Sequence, residues 1–361
     1  MFGRYLANYK EYLWKLIQMT KLGFYNFYDI YNNNRMFDPE IQAPIGDDLL
    51  YPFHYLAQVA RQQGISISTI DTESLDSYDA IIFFDYPGNH NQYLKKLIDI
   101  KFENLYLFLF ENEIIRPENW KTENHRLFKK VFTWKDTLVD GNHTLKFFLP
   151  NRIPENISFD ISLKTKFCCM ISGNKVLSHP LELYSERVRA VQWFEKHNPN
   201  YFDLYGIGWD NPFPVLPPRV SRLFKPMFDL FPQKYSSYRG IVTSKNAILK
   251  QYKFSICYEN ARDIPGYITE KIFDSFFSGC IPVYWGAPNI TDYIPEETFI
   301  DRRKFNSYEE LYDYMINMND QMYSGYIHSI EKFVNSTEVL LFSAKKFSDT
   351  ILQLISDQKG R

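Results

Sequence analysis

The chain has 361 residues, 45% of them hydrophobic and 18% aromatic, with a formal net charge of −2. That length fits two domains and that apolar content fills two packed cores, which excludes a disordered chain apart from the extreme end, Asp357–Arg361. The near-neutral balance excludes a global attraction to nucleic acid, so any anion site has to be built locally.

In chain order, the first segment places Phe2, Tyr5, Leu6, Tyr9, Tyr12, Leu13, Leu16 and Ile17 at helical spacing, with Arg4, Lys10, Lys15 and Lys21 around the rest. It reads as an amphipathic helix packed on the protein, with a peripheral membrane contact as the competing reading. No apolar run of leader length precedes Tyr31, and none is long enough to span a bilayer. The expected location is therefore cytoplasmic, at most peripheral at the inner membrane face through the N- or C-terminal amphipathic helix.

Strand and helix signals then alternate. Gly23–Tyr31 reads as a strand, followed by a helix capped by Asp47 or Asp48 and running through Gln63, with Gly64 as its stop. Ile65–Ile70 is a β-branched run. Ala80–Asp85 is an apolar run ending in the turn Asp85-Tyr86-Pro87-Gly88, Gln92–Phe102 is helical, and Leu105–Phe110 ends in Glu111-Asn112-Glu113. Val131–Trp134 is one more apolar run. Continuous apolar strands separated by helices imply a parallel sheet covered on both faces.

A second series follows a joint near Pro150–Ser158. Strand Phe167–Ser172, helix Leu181–Lys196 and strand Phe202–Tyr205 precede a Pro-rich loop, Pro212–Pro232. Helix Ser244–Gln251, strand Phe254–Tyr258, helix Ile268–Ser278 and strand Ile281–Tyr284 come next, then a short strand at Phe299–Ile300. Ser307 and Glu310 resemble a capping box opening a helix to Asn317, and Ser324–Ser356 is helical and amphipathic. The fold class is α/β: two Rossmann-like domains facing across a cleft, with a helical C-terminal tail. The expected divisions are 1–158, 159–338 and 339–361.

The four cysteines, Cys168, Cys169, Cys257 and Cys280, sit in apolar contexts without CxxC spacing and read as buried free thiols. The sequons at Asn142, Asn156, Asn289 and Asn335 read as chance in an Asn-rich chain. The seven His lack ligand spacing and no Asp-x-Asp motif ends a strand, so no metal ligands are assigned. A stimulatory Mn or Mg ion, screening a diphosphate, remains an expectation.

The most informative stretch is Tyr252–Gly286. Its strand ends in Glu259 and Asn260, where a Rossmann-like sheet receives ligands. After a loop with a Pro265-Gly266 turn, a helix begins near Ile268–Thr269, and its N-terminal N–H groups favour a phosphate. Lys271 in the first turn can neutralise a diphosphate, and Glu270 can accept two hydrogen bonds from a ribose diol. Arg239, Lys245, Lys250 and Lys253 lie upstream, and Arg187 and Arg189 lie in the helix after the first strand of this half. Each could reach the cleft or simply face solvent.

Tyr252-Lys253-Phe254 through Glu259-Asn260, then Gly266-Tyr267-Ile268-Thr269-Glu270-Lys271, then Ile281-Pro282-Val283-Tyr284-Trp285-Gly286, resembles the α-1,3/4-fucosyltransferase family, glycosyltransferase family 10. The likeness is strong over about 250–290, moderate over 160–210 and weak in the first half. It implies a GT-B fold, an acceptor side first and a donor side second. It also implies GDP-β-L-fucose as donor and inversion to an α-1,3- or α-1,4-fucoside of a glycan such as GlcNAc in an N-acetyllactosamine-like or surface-polysaccharide unit. By position, Tyr267, Glu270 and Lys271 match a donor-contacting Tyr-x-x-Glu-Lys, Asn260 lies in the donor pocket, and the phosphate-binding helix arginine matches Arg187 better than Arg189.

Inversion needs one carboxylate to take the acceptor hydroxyl's proton. Glu111, at the end of an apolar strand, is the leading candidate and matches the first Glu of the family's Glu-Asn-Glu segment. Glu113 and Asp85 follow. Lys245, Arg239 and Glu259 are further candidate contacts. The competing readings are a related GT-B transferase using another nucleotide sugar, and a non-catalytic sugar-nucleotide or glycan-binding protein.

Overall fold

The computed structural model describes residues 20–41, 43, 47–211 and 235–359. The amphipathic segment before residue 20 and the Pro-rich passage Pro212–Pro232 lie outside the described residues.

The first half builds a six-stranded sheet from β1 (Lys21–Asn26), β2 (Ser66–Thr69), β3 (Ala80–Phe84), β4 (Leu105–Leu109), β5 (Lys130–Thr133) and β6 (Thr144–Lys146), with α1 (Tyr51–Gln62), α2 (Gln92–Asp99) and α3 (Thr122–His125) between them. The order is β2-β1-β3-β4-β5-β6 and every pairing is parallel. Alternate strand residues enter opposite cores. Ile81, Phe83, Leu105 and Leu107 join Leu94 and Leu97 of α2, while Ile82, Phe84, Tyr106 and Phe108 join Leu56 and Ala60 of α1. Covering both faces explains why these strands read as unbroken apolar runs.

Three local expectations change. β1 ends at Asn26 rather than Tyr31, because the Asn26 side chain accepts the Tyr28 N–H at 2.7 Å and turns the chain. Neither Asp47 nor Asp48 caps α1. Asp47 instead accepts from Ser244 Oγ (2.8 Å) and from the N–H groups of Lys245 (3.0 Å) and Asn246 (3.2 Å), capping a helix in the other half, while Asp48 pairs with Arg152. β6 is three residues long, too short to leave a pattern in sequence.

The second sheet contains β7 (Lys166–Ile171), β8 (Phe202–Tyr205), β9 (Tyr252–Tyr258), β10 (Ile281–Trp285) and β11 (Ile300–Asp301), in the parallel order β11-β10-β9-β7-β8. Its helices are α4 (Tyr184–His197), α5 (Lys245–Leu249), α6 (Glu270–Phe277), α7 (Tyr308–Ile316), α8 (Asp320–Val334) and α9 (Ala344–Lys359). Ser307 caps α7 through the Glu310 N–H at 3.1 Å, and the Glu310 carboxylate reaches back to Asn306 N, one residue off the expected capping box.

The helical tail is two helices, α8 and α9, separated by a short 3-10 turn at Glu338–Phe342. α9 runs through Lys359, into the stretch expected to be disordered. Its Phe347, Ile351 and Leu352 are buried in the first sheet's core with Phe84 and Phe108. That apolar face is therefore occupied by the protein itself and is not free for a membrane. Among the described residues no helix is long and apolar enough to cross one.

The two sheets share one wiring rule. β1 lies between β2 and β3, and β7 lies between β8 and β9. Connections leave these strands in opposite directions, so a crevice opens beyond the carboxyl ends of β1/β3 and of β7/β9, where ligands bind in open α/β sheets.

Candidate functional site

The β7/β9 crevice is made by the segment that sequence singles out. Glu259 follows β9 and is fully buried. One carboxylate oxygen accepts Thr269 N at 2.8 Å, the other Thr269 Oγ1 at 2.7 Å, and Lys271 Nζ lies 3.4 Å away. Burial raises its pKa, against the pull of Lys271. Glu259 thus fixes the start of α6 from beneath. With both oxygens engaged, it is not the ligand contact that its strand-end position suggests.

Thr269 in turn caps α6 by accepting Lys271 N at 3.4 Å. Glu270 sits at the crevice mouth with its side chain 43% exposed. Burial works against its charge, yet Lys271 and Lys245 hold its carboxyl down to about 2. Lys271 Nζ is 3.1 Å from Thr269 Oγ1 and 3.5 Å from Glu270 Oε1, and these carboxylates keep it protonated against burial. α6 stops at Gly279, where φ is +59° and an added Cβ would fall 2.6 Å from the Phe159 ring.

Arg187 reaches the same crevice from α4. It is buried; its Nη2 donates to Tyr258 O (2.7 Å) and Asn260 Oδ1 (3.0 Å), while its Nε–H has no partner among the described residues. Arg189 lies on the surface, paired with Glu186. Lys245 lines the crevice too, held by Asp274 at 2.6 Å. Arg187, Lys245 and Lys271 therefore surround one cavity, with Ser172, Cys257 and Asp274 completing its wall. Three cations and a helix N-terminus converge on one space, with Asp274 and Glu259 offsetting the two lysines, an arrangement that can receive an anion.

Arg239 is elsewhere. It pairs with Asp203 of β8 at 2.7 Å, alongside Lys166 at the opening of β7, away from the strand ends that form the crevice. Sequence reasoning missed Asp274 and Ser172. Asp274 lies four residues after Glu270 on α6, one turn along the same face, which is a readable signal. The Ser172 hydroxyl is buried and has no partner among the described residues, which no sequence pattern reveals.

Glu111 stands beyond β4 in the first sheet. Its Oε1 accepts Tyr28 OH at 2.9 Å. Its backbone is held by Asp85, whose Oδ1 accepts Phe110 N (2.7 Å), Glu111 N (3.1 Å) and Asn119 Nδ2 (2.6 Å). Asn119 also donates to Glu111 O. Asp85 is buried, with φ of +64°, and burial together with the Glu111 charge pushes its carboxyl up to about 6. Asp85 is therefore the support under Glu111 and not an alternative base. Glu113 is committed to Lys135 at 2.6 Å. Of the three carboxylates, Glu111 alone is both partly exposed and without a cationic partner among the described residues.

The two crevices face one another. The Tyr184 phenol, raised by burial, lies within electrostatic reach of Arg187 and Lys271 on one side and Glu111 on the other. The Tyr267 phenol, also raised by burial, feels Glu259 and Glu111. The Tyr267 ring packs 4.7 Å from Trp134 of the first half, centroid to centroid. Beside it, Gly266 adopts φ +82°, and a Cβ there would sit 2.2 Å from Trp134 O. Asp136 locks this seam, bonding Tyr293 OH (2.6 Å) and Asn289 Nδ2 (2.9 Å) across it and Lys146 (2.5 Å) within its own half.

Among the described residues no group of three or more His, Cys, Asp or Glu is gathered to hold a metal ion. The four cysteines are buried and free.

Comparison with known proteins matches residues 228–352 to the model for glycosyltransferase family 10 (fucosyltransferase) C-term, the family that the Tyr252–Gly286 motifs resemble. Over 74 residues the chain is 42% identical to an alpha-(1,3)-fucosyltransferase of Helicobacter pylori, covering 20% of this chain and 15% of that protein. Over 136 residues it is 32% identical to an alpha-(1,4)-fucosyltransferase of Arabidopsis thaliana, covering 30% and 34%. The matched stretches thus span about a third or less of these relatives' own lengths. In structure, an alpha1,3-fucosyltransferase solved with GDP superposes at a TM-score of 0.55 and 16% identity, covering 93% of this chain and 90% of that one. An Anabaena protein solved with UDP-glucose gives 0.54 at 12% identity, covering 94% and 100%. These likenesses show the fold, which is GT-B.

Proposed function

With residues 228–352 matching glycosyltransferase family 10, we propose that the chain is an inverting fucosyltransferase. It moves L-fucose from GDP-β-L-fucose to a hydroxyl of a glycan acceptor. The observation that carries this reading is the arrangement of Glu111 opposite a crevice lined by Arg187, Lys245 and Lys271.

In this mechanism the diphosphate lies against the N-terminus of α6. Lys271 and Arg187 take up the negative charge that develops as the bond between the sugar C1 and the diphosphate oxygen breaks. Among the described residues, the Arg187 Nε–H has no partner and is open to this purpose. Glu270, exposed at the mouth and ionised, accepts the ribose hydroxyls, and Asn260 and Tyr267 shape the pocket. Glu111 removes the proton of the acceptor hydroxyl as its oxygen attacks C1 from the face opposite the leaving GDP. The proton then passes to solvent.

The acceptor class we favour is GlcNAc in an N-acetyllactosamine-like or surface-polysaccharide unit. Both α-1,3 and α-1,4 linkages occur in the names of the relatives. A second reading is a transferase using another nucleotide sugar, since a protein of the same fold was solved with UDP-glucose. Release of nucleotide from a panel of GDP- and UDP-sugars separates the two. GDP release confined to GDP-fucose supports the first, release from a different sugar nucleotide supports the second, and binding without turnover of any donor sinks both.

A further inference from the structure

The first sheet's crevice holds more than a carboxylate. The turn that leaves β1 lies where the connections of β1 and β3 diverge, beside Asp85 and Glu111. It is built from Asn26, Phe27, Tyr28 and Ile30, and three of these are large apolar residues left open: Phe27 is 40%, Tyr28 45% and Ile30 53% exposed. A run of exposed aromatic and aliphatic surface next to a buried polar network signals a surface that meets something.

The turn is preset. Asn26 Oδ1 accepts Tyr28 N at 2.7 Å. The Phe27 and Tyr28 rings meet edge to face, 5.5 Å apart. The Arg116 guanidinium lies 3.5 Å from the Phe27 ring centre and is itself anchored to Tyr86 O at 3.0 Å. Tyr28 OH donates to Glu111 Oε1 at 2.9 Å.

We propose that this turn is the acceptor-sugar subsite, in which Tyr28 orients Glu111 and the Phe27 and Tyr28 rings receive the apolar face of a pyranose. The inference rests on the transferase reading above and deepens it. A pyranose has one face rich in C–H groups and a rim of hydroxyls, which matches an aromatic platform beside a carboxylate. Burial and the Glu111 charge hold the Tyr28 phenol protonated, so it acts only as a donor to the carboxylate. With Oε1 so occupied, the acceptor's proton goes to Oε2. Tyr28 is in this sense a positioning residue for Glu111, and Phe27 acts on the sugar alone.

Two variants separate these roles, with GDP-fucose and N-acetyllactosamine as probes. Tyr28→Phe keeps the ring and removes the hydrogen bond. It is expected to lower kcat about tenfold with the acceptor KM unchanged. Phe27→Ala is expected to raise the acceptor KM about tenfold with kcat unchanged. GDP affinity, measured by calorimetry, stays within about twofold of wild type in both and reports that each has folded. Unchanged acceptor KM in Phe27→Ala, or in Tyr28→Phe an unchanged kcat or a raised acceptor KM, overturns the proposal. If wild type turns over no nucleotide sugar, the transferase reading fails on its own. The subsite is then judged by saturation-transfer NMR of N-acetyllactosamine: binding lost in Phe27→Ala sustains it, and no binding to wild type, or equal binding to both, ends it.

Discussion

The two crevices obey the same wiring and are finished in opposite ways. Beyond β7 and β9, the charged groups are sunk into the protein: Glu259 and Arg187 are buried and already bonded to Thr269, Tyr258 and Asn260. Beyond β1 and β3, the buried acid Asp85 lies underneath, and what faces outward is Glu111 with exposed aromatic rings. A space ringed by fixed, desolvated cations suits one small anion in one position, because the protein dipoles do not have to reorganise when it arrives. A flat apolar rim with one carboxylate suits a larger neutral partner held by contact area.

That contrast can be broken most decisively at Glu111. Glu111→Gln should reduce transfer by about 100- to 10,000-fold, with GDP affinity by calorimetry unchanged. If GDP binding is lost as well, Glu111 acts with the second-sheet crevice and the division fails. On the opposite wall, Lys271→Met should weaken GDP binding by about 10- to 100-fold. The same change leaves Glu259 buried without its cation, so urea denaturation should show a loss of about 3 kcal/mol. Retained GDP affinity would remove Lys271 from the phosphate site.

The third test uses pH. Asp85 titrates at about 6 in the folded chain against 3.8 as its ordinary value. The folded state therefore binds more protons than the unfolded state between these values, and stability falls as pH rises through that window. The loss on going from about pH 4 to about pH 7 is on the order of 3 kcal/mol, and Asp85→Asn should abolish this part of the slope. Glu270 acts with the opposite sign and at lower pH: held down to about 2, it contributes stability above its ordinary 4.5 that is lost as pH falls toward 2. Denaturation midpoints at several pH values distinguish the two, and identical slopes in wild type and Asp85→Asn would refute the Asp85 assignment. The smallest effect belongs to Arg239→Ala. It should leave GDP affinity within about twofold and cost no more than about 1 kcal/mol, because the Arg239 side chain is 44% exposed and Asp203 keeps Lys166 and Tyr252 as partners.

The unequal finish of the crevices also explains what the sequence discloses. The second-sheet crevice is largely contiguous: strand, loop, helix and strand lie within Tyr252–Gly286, so their order and spacing can be read along the chain. The first crevice draws Tyr28, Asp85, Glu111 and Asn119 from four separate segments, and only Asp85 and Glu111 stand out, each at the end of an apolar run. Position at a strand end marks a polar residue as significant without telling whether its partner is a ligand or the protein. Glu259 and Asp85 both turn inward to hold backbone N–H groups, and each supports the residue that faces the cleft. Tyr28 is hidden for another reason. Its apolar neighbours continue the β1 pattern, and only the Asn26 side chain, folding back on Tyr28 N, ends the strand.

The placement of α9 bears on how the molecule is born. Phe347 lies 5.8 Å from the Phe108 ring and 6.1 Å from the Phe84 ring, filling the heart of the first sheet with the last helix of the chain. On a ribosome the six parallel strands emerge well before that helix, so α1 covers their apolar underside only in part while the second half is still being made. Polypeptides cut short before Phe347 should therefore accumulate as aggregates or be degraded.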